Sequence, residues 1–200
     1  MKKQLRRISL VAAVVACAII WGIATDSREL REGLLRLHVV GASDSQEDQE
    51  VKLLVRDAVL DSLEEGLQDL TDPAAAYDYV ARMLPKVEDA ANRCLQAAGF
   101  SDSVQVSLTE EAFPTREYDT FSLPAGVYRA LRVVIGEGEG RNWWCVVFPQ
   151  LCMGEDFVET ASVAGLDEEL AGTLEGDREI RFWLLEKWGE LKNRFFDSSE

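Results

Sequence analysis

A chain of 200 residues with 47% hydrophobic and 8% aromatic side chains has the material for one packed domain, which excludes disorder as its default state. Its formal charge of −15 is unevenly placed: residues 1–24 carry four basic side chains and no acid, leaving 17 basic against 36 acidic residues, a net of −19, in the remainder. So acidic a surface repels phosphate backbones and anionic headgroups, so nucleic-acid binding is disfavoured and no nucleic-acid partner is expected.

The first element is an export segment. Lys2, Lys3, Arg6 and Arg7 precede residues 8–24, a run whose one polar member is Ser9. As a helix those seventeen residues span roughly 25 Å at ~1.5 Å each, just short of a hydrocarbon core of ~30 Å. A signal peptide cut after Ala24 and an uncleaved anchor fit this length equally, and a lipoprotein box ending at Cys17 fits less well because apolar sequence follows it. Either way the basic side stays in the cytoplasm and the rest is exported, with membrane contact through residues 8–24 if the segment is uncleaved. Residues 26–33 are charged and read as a tether.

A globular domain is expected over residues 34–152. Residues 34–40 read as a strand, with Leu35, Leu37 and Val39 on one face and Arg36 and His38 on the other. After a turn, Asp44 or Ser45 caps a helix whose stripe is Val51, Leu54, Val55, Ala58, Val59, Leu63 and Leu67. Asp72 and Pro73 open a second helix, with Tyr77, Val80, Leu84, Val87, Ala91, Cys94 and Leu95 on its stripe, Gly99 at its end and Pro85 set to kink or split it. Alternation of Val104, Val106 and Leu108 with polar residues gives another strand. Residues 113–126 hold a short turn-bound segment between two Pro-containing turns. Residues 127–135 and 142–148 then read as strands joined by a hairpin turn at 136–140. An acidic loop region is expected at 153–177, and an amphipathic helix at 178–196. The order predicts an α+β fold: a mostly antiparallel sheet packed by two early helices and a C-terminal helix, with the helices on one face.

Chemistry-bearing motifs are scarce. The glycines at 136–140 are interleaved with Glu137 and Glu139, which would oppose a phosphate, so a turn is the reading. A single His leaves no zinc ligand set, and no cofactor motif is present, so neither metal nor cofactor is expected. Cys145 and Cys152 form a close pair that an oxidising compartment permits to join; the loop closed would contribute roughly 2.5 kcal/mol. Two buried thiols fit as well. Cys145 with His38 as base would make a thiol enzyme, the alternative function, although apolar neighbours blunt a thiol. Trp143 and Trp144 point to opposite sides of their strand, so both faces of that strand are apolar. Asn142, Trp144, Val146 and Phe148 share one face, and Trp143, Cys145 and Val147 the other. Either this is a central strand covered twice, or one face, with its Trp, belongs to a partner-docking surface, for which Trp143, Trp144 and Phe148 are the candidates.

These residues carry a resemblance. Leu35-Arg-Leu-His-Val-Val-Gly-Ala-Ser-Asp-Ser45, Glu47-Asp-Gln49 and Val55-Arg-Asp-Ala-Val-Leu60 are similar to the opening of the stage II sporulation protein R family. Phe113-Pro-Thr115, Leu123-Pro-Ala-Gly126, Leu131-Arg-Val-Val-Ile-Gly-Glu-Gly138, Asn142-Trp-Trp-Cys-Val-Val-Phe-Pro149 and Leu151-Cys152 continue it, with a weaker echo at Arg181 to Trp188. The family more often has Ala-Asn where Gly41 and Ala42 stand. The resemblance implies a protein that the forespore of an endospore-forming bacterium exports into the intermembrane space. There it activates, by contact, the mother cell's membrane-embedded aspartic protease, which processes pro-sigma-E. It further implies a ligand rather than an enzyme. A structural envelope module is the remaining alternative.

Overall fold

The computed structural model describes residues 2–118, 121–149, 174 and 180–197. Four helices and six strands run in the order α1 (Lys2–Gly33), β1 (Leu35–Val40), α2 (Gln46–Leu67), α3 (Pro73–Ala97), β2 (Val104–Phe113), β3 (Arg116–Glu117), β4 (Ser122–Leu123), β5 (Gly126–Ile135), β6 (Asn142–Phe148) and α4 (Ile180–Asp197) among those residues. The fold is α+β, as the element pattern predicts. The expected acidic loop region, apart from Leu174, lies outside the described residues.

The four-stranded sheet has the order β2-β5-β1-β6, with β1 parallel to β5 and the other two pairings antiparallel. The expected β5–β6 hairpin does not form, because β1 lies between the two strands. All six residues of β1 are buried, which suits a central position and leaves β6 at the edge. The segment 136–140 instead crosses the end of β1, where the amides of Glu139 and Gly140 donate to the carbonyls of Ala42 and Gly41 at 3.2 and 2.8 Å. A Cβ at Gly140 would collide with the Ser43 carbonyl, so this close crossing needs glycine.

Helices cover both faces of the sheet rather than one. On the first face Leu35, Leu37, Val39, Leu131, Val133, Ile135 and Val147 pack against the stripes of α2 and α3. Ser45 caps α2 by accepting from the Asp48 amide at 3.1 Å, and Asp72 caps α3 by accepting from the amides of Ala74 and Ala75. Pro85 does not split α3, whose buried Val80, Val87, Ala91 and Leu95 lie on both sides of it. Burial of that stripe outweighs the one backbone hydrogen bond the ring removes.

The second face carries Ala130, Tyr128, Val146 and Phe113, with Phe121 and Leu123 from the β3–β4 ladder, and is closed by Ile23 and Leu30 of α1 and by Phe182 and Leu185 of α4. The stretch 26–33, expected as a tether, is the end of α1. Its charges face outward, as in the exposed Arg28–Glu32 pair at 2.8 Å, while Leu30 is buried. Towards the N-terminus of the same helix, Ile8, Leu10, Val11, Val14, Val15, Ile19, Ile20 and Trp21 are all exposed. One continuous helix thus has an uncovered apolar half and a docked half.

Candidate functional site

Adjacent residues on a strand project to opposite faces, and β6 separates its two tryptophans accordingly. Trp143 lies opposite Val39, Trp144 opposite His38, and Cys145 opposite Leu37. Trp143 is 37% exposed, and the Arg56 guanidinium of α2 sits 4.6 Å from its ring centre. Trp144 is half-buried on the second face, stacked on the His38 ring at 3.8 Å with the planes 16° apart. Phe148 does not share the face of Trp144. The register shifts at Leu35/Arg36, so that Leu35 pairs with Phe148 and Arg36 with Val146. This irregularity turns Phe148, 2% exposed, into the α2/α3 core, where it cannot serve as a surface residue.

Cys145 is disulfide-bonded, whereas Cys17 and Cys94 are free thiols. Cys152 lies outside the described residues. Ala24, the expected cleavage position, is half-buried in the continuous α1, next to Thr25, whose hydroxyl donates to the Trp21 carbonyl at 2.9 Å.

The second face holds a polar cluster that the sequence pattern did not assemble. Arg36 and His38 follow one another at strand spacing, and both are buried. The His38 Nδ1 lies 2.6 Å from Glu111 Oε2 and Nε2 lies 2.9 Å from Asn142 Oδ1, so both ring nitrogens are engaged by polar side chains. Glu111 also accepts from Thr109 at 3.0 Å and from Arg132 at 3.3 Å. Burial alone would raise the Glu111 carboxyl, but the bond to His38, its charge and the neighbouring donors hold it below the ordinary carboxylate value.

Arg36 is fully buried. Its Nε donates to the Cys145 carbonyl at 3.1 Å and its Nη2 to the Tyr118 hydroxyl at 2.8 Å. The guanidinium lies over the rings of Phe113 at 4.4 Å and Tyr128 at 5.1 Å. Burial pulls its pKa down and pushes that of the Tyr128 phenol up.

Cys145 and His38 are not a nucleophile and its base. They lie on opposite faces of the sheet, the thiol is bonded, and both imidazole nitrogens are engaged. Among the described residues no group of three His, Cys, Asp or Glu side chains could hold a metal ion. The one sequence signal for the polar cluster was the pair of basic residues inside an otherwise apolar strand. Glu111 and Tyr118 gave none.

The molecule is therefore an α+β domain carried behind a helix that is long and apolar enough to cross a membrane, compatible with a signal or an anchor. Residues 31–158 match the model of the family described as stage II sporulation protein R, and the chain belongs to that family of sporulation proteins. It is 36% identical over 118 residues to "Stage II sporulation protein R" of Bacillus subtilis (strain 168), a stretch that covers 59% of this chain and 53% of that relative. The match thus spans about half the length of the curated relative. No solved structure matches the chain.

Proposed function

We propose that this protein is an exported sporulation signal that activates, by protein–protein contact, the mother cell's membrane-embedded aspartic protease that processes pro-sigma-E. The single observation that carries the contact surface is Trp143, an exposed indole on an edge strand, backed by Arg56. A large aromatic held against a guanidinium loses little conformational freedom on burial, which is why Trp and Arg are enriched among residues that dominate binding. Membership of a sporulation family supports the setting, and the membrane-compatible α1 supports export.

The site works without a catalytic group: docking buries Trp143 and Arg56 against the partner, and the partner does the chemistry. The test is co-expression with the protease and pro-sigma-E in a non-sporulating host, with and without residues 1–24. Trp143→Ala is expected to fold and to lose pro-sigma-E processing, while removal of residues 1–24 abolishes processing by keeping the chain in the cytoplasm. A folded Trp143→Ala chain that supports full processing would remove this surface from the proposal.

A further inference from the structure

A buried cation needs either an opposite charge or a full set of acceptors, because the low-dielectric interior cannot replace the hydration it has lost. Arg36 has neither. It is fully buried, its contacts are a carbonyl, a hydroxyl and two aromatic faces, and its Nη1 has no hydrogen-bond partner.

A second guanidinium, half-buried Arg116, stands near enough to be felt by it. Arg116 opens β3, and Tyr118 follows just past the end of that strand. The Tyr118 hydroxyl is the group that Arg36 grips, and Arg116 lies over the Trp144 ring at 5.6 Å. The Nε of Arg116 is buried and also without a partner. The two cations disfavour each other, as the lowered pKa of Arg36 reflects after burial itself. Glu111, the carboxylate of the His38 cluster, is engaged by His38, Thr109 and Arg132. No carboxylate among the described residues is hydrogen-bonded or ion-paired to either guanidinium.

Two guanidinium groups that find no carboxylate among the described residues, each with a buried unpartnered nitrogen, offer a receptor for an anion. The geometry points to a binding site for one small oxyanion, of carboxylate or sulfate type, between Arg36 and Arg116. Arg36 forms the closed end and half-buried Arg116 the open one. Planar guanidinium forks match such an anion with parallel N–H donors, and aromatic walls keep water from competing. The chemistry is shared by a free inorganic anion and by an acidic side chain of another protein, and the site stands whether or not Trp143 is a docking residue.

The experiment uses the full chain in neutral detergent micelles. Phenylglyoxal labelling of Arg116 is followed by mass spectrometry in sodium sulfate and in sodium chloride at matched ionic strength, with exposed Arg82 as the internal control. At a sulfate concentration about four times its dissociation constant, labelling of Arg116 slows about fivefold while Arg82 is unchanged. The same anion raises the thermal midpoint of the unsubstituted chain, and Arg116→Gln abolishes that rise. A blocked tetraglutamate peptide in place of sulfate separates the sources: protection by the peptide at lower concentration assigns the site to a partner's carboxylate, and protection by sulfate alone assigns it to a free anion. Labelling of Arg116 that neither compound slows, or an equal midpoint rise in Arg116→Gln, overturns the site. The labelling on the unsubstituted chain decides the matter even where the variant fails to fold.

Discussion

The two faces of one sheet are built by different rules. Alternate residues of the same strands give the α2/α3 face an aliphatic core of Leu37, Val39, Leu131 and Val133, and give the other face Arg36, His38, Tyr128 and Trp144. The first face is held by burial of apolar area, which is insensitive to pH and tolerant of detail in direction. The second depends on a few directional contacts, and it leaves the buried atoms Arg36 Nη1, Arg116 Nε, Trp188 Nε1 and Asn193 Oδ1 without partners. It is also the face on which the membrane-compatible helix ends, through Ile23 and Leu30. The aliphatic face thus lacks groups that answer to pH, and the polar cluster lies on the other, while Trp143 sits at the margin of the first beside Arg56 of α2.

The largest effect expected from breaking this division is on the aliphatic face. Leu131 is fully buried, and Leu131→Ala should cost about 2–5 kcal/mol through lost transfer energy and the cavity left behind. Urea unfolding of the full chain in micelles measures it, and a loss below about 1 kcal/mol would mean that this face does not dominate stability. On the other face the sensitive point is a close approach. A Cβ at Gly189 would fall on the Ala125 carbonyl, so α4 rests directly on the start of β5. Gly189→Ala should force α4 outward at a cost of about 1–3 kcal/mol. Hydrogen exchange then loses protection in α4 while α2 and α3 keep theirs. Equal loss in all three helices would show the two faces to be one cooperative unit.

How much of this contrast the sequence carried follows from the range of each interaction. The strand at β1, both helical stripes and both N-caps were legible because they depend on neighbours within a turn or two of chain. The insertion of β1 between β5 and β6 was not, since local alternation says nothing about which strands pair, and a short glycine-rich link favours the hairpin reading. Arg36 looked like the outward residue of a half-exposed strand. Its burial depends on Tyr118, 82 residues away, and on the rings of Phe113 and Tyr128. Charge also misled at 26–33, where six polar or charged neighbours hide Leu30, which docks the helix together with Ile23. Phe148 was assigned to the wrong face because a single register shift reverses the alternation behind it.

A third test sharpens the comparison through pH. The Glu111 carboxyl is held below its ordinary value in the folded chain, so its bonds add stability that is complete above the unfolded value of about 4.3. That stability is lost as pH falls from there through the lower folded value. Glu111→Gln leaves the bonds to His38 and Arg132 without their charge and should cost about 1.5–3 kcal/mol at pH 7. The cost shrinks in acid, where the native carboxyl is also neutral. Urea midpoints at neutral and acid pH measure both slopes, and parallel curves for the two chains would exclude Glu111 from the acid response. Leu131→Ala, by contrast, should shift the midpoint equally at every pH.

The smallest effect belongs to the residue of greatest functional interest. Trp143 is 37% exposed and its ring lies over the Arg56 guanidinium, a cation–π contact worth about 0.5–2 kcal/mol. Trp143→Ala should therefore shift the urea midpoint little, whereas Trp144→Ala removes a ring packed on His38 and Phe113 and should shift it more. A side chain that adds so little to stability yet exposes an indole on a sheet edge is available for contact with another molecule. If Trp143→Ala proves as destabilising as Trp144→Ala, the indole is part of the core, and the case for a contact surface on the edge strand is lost.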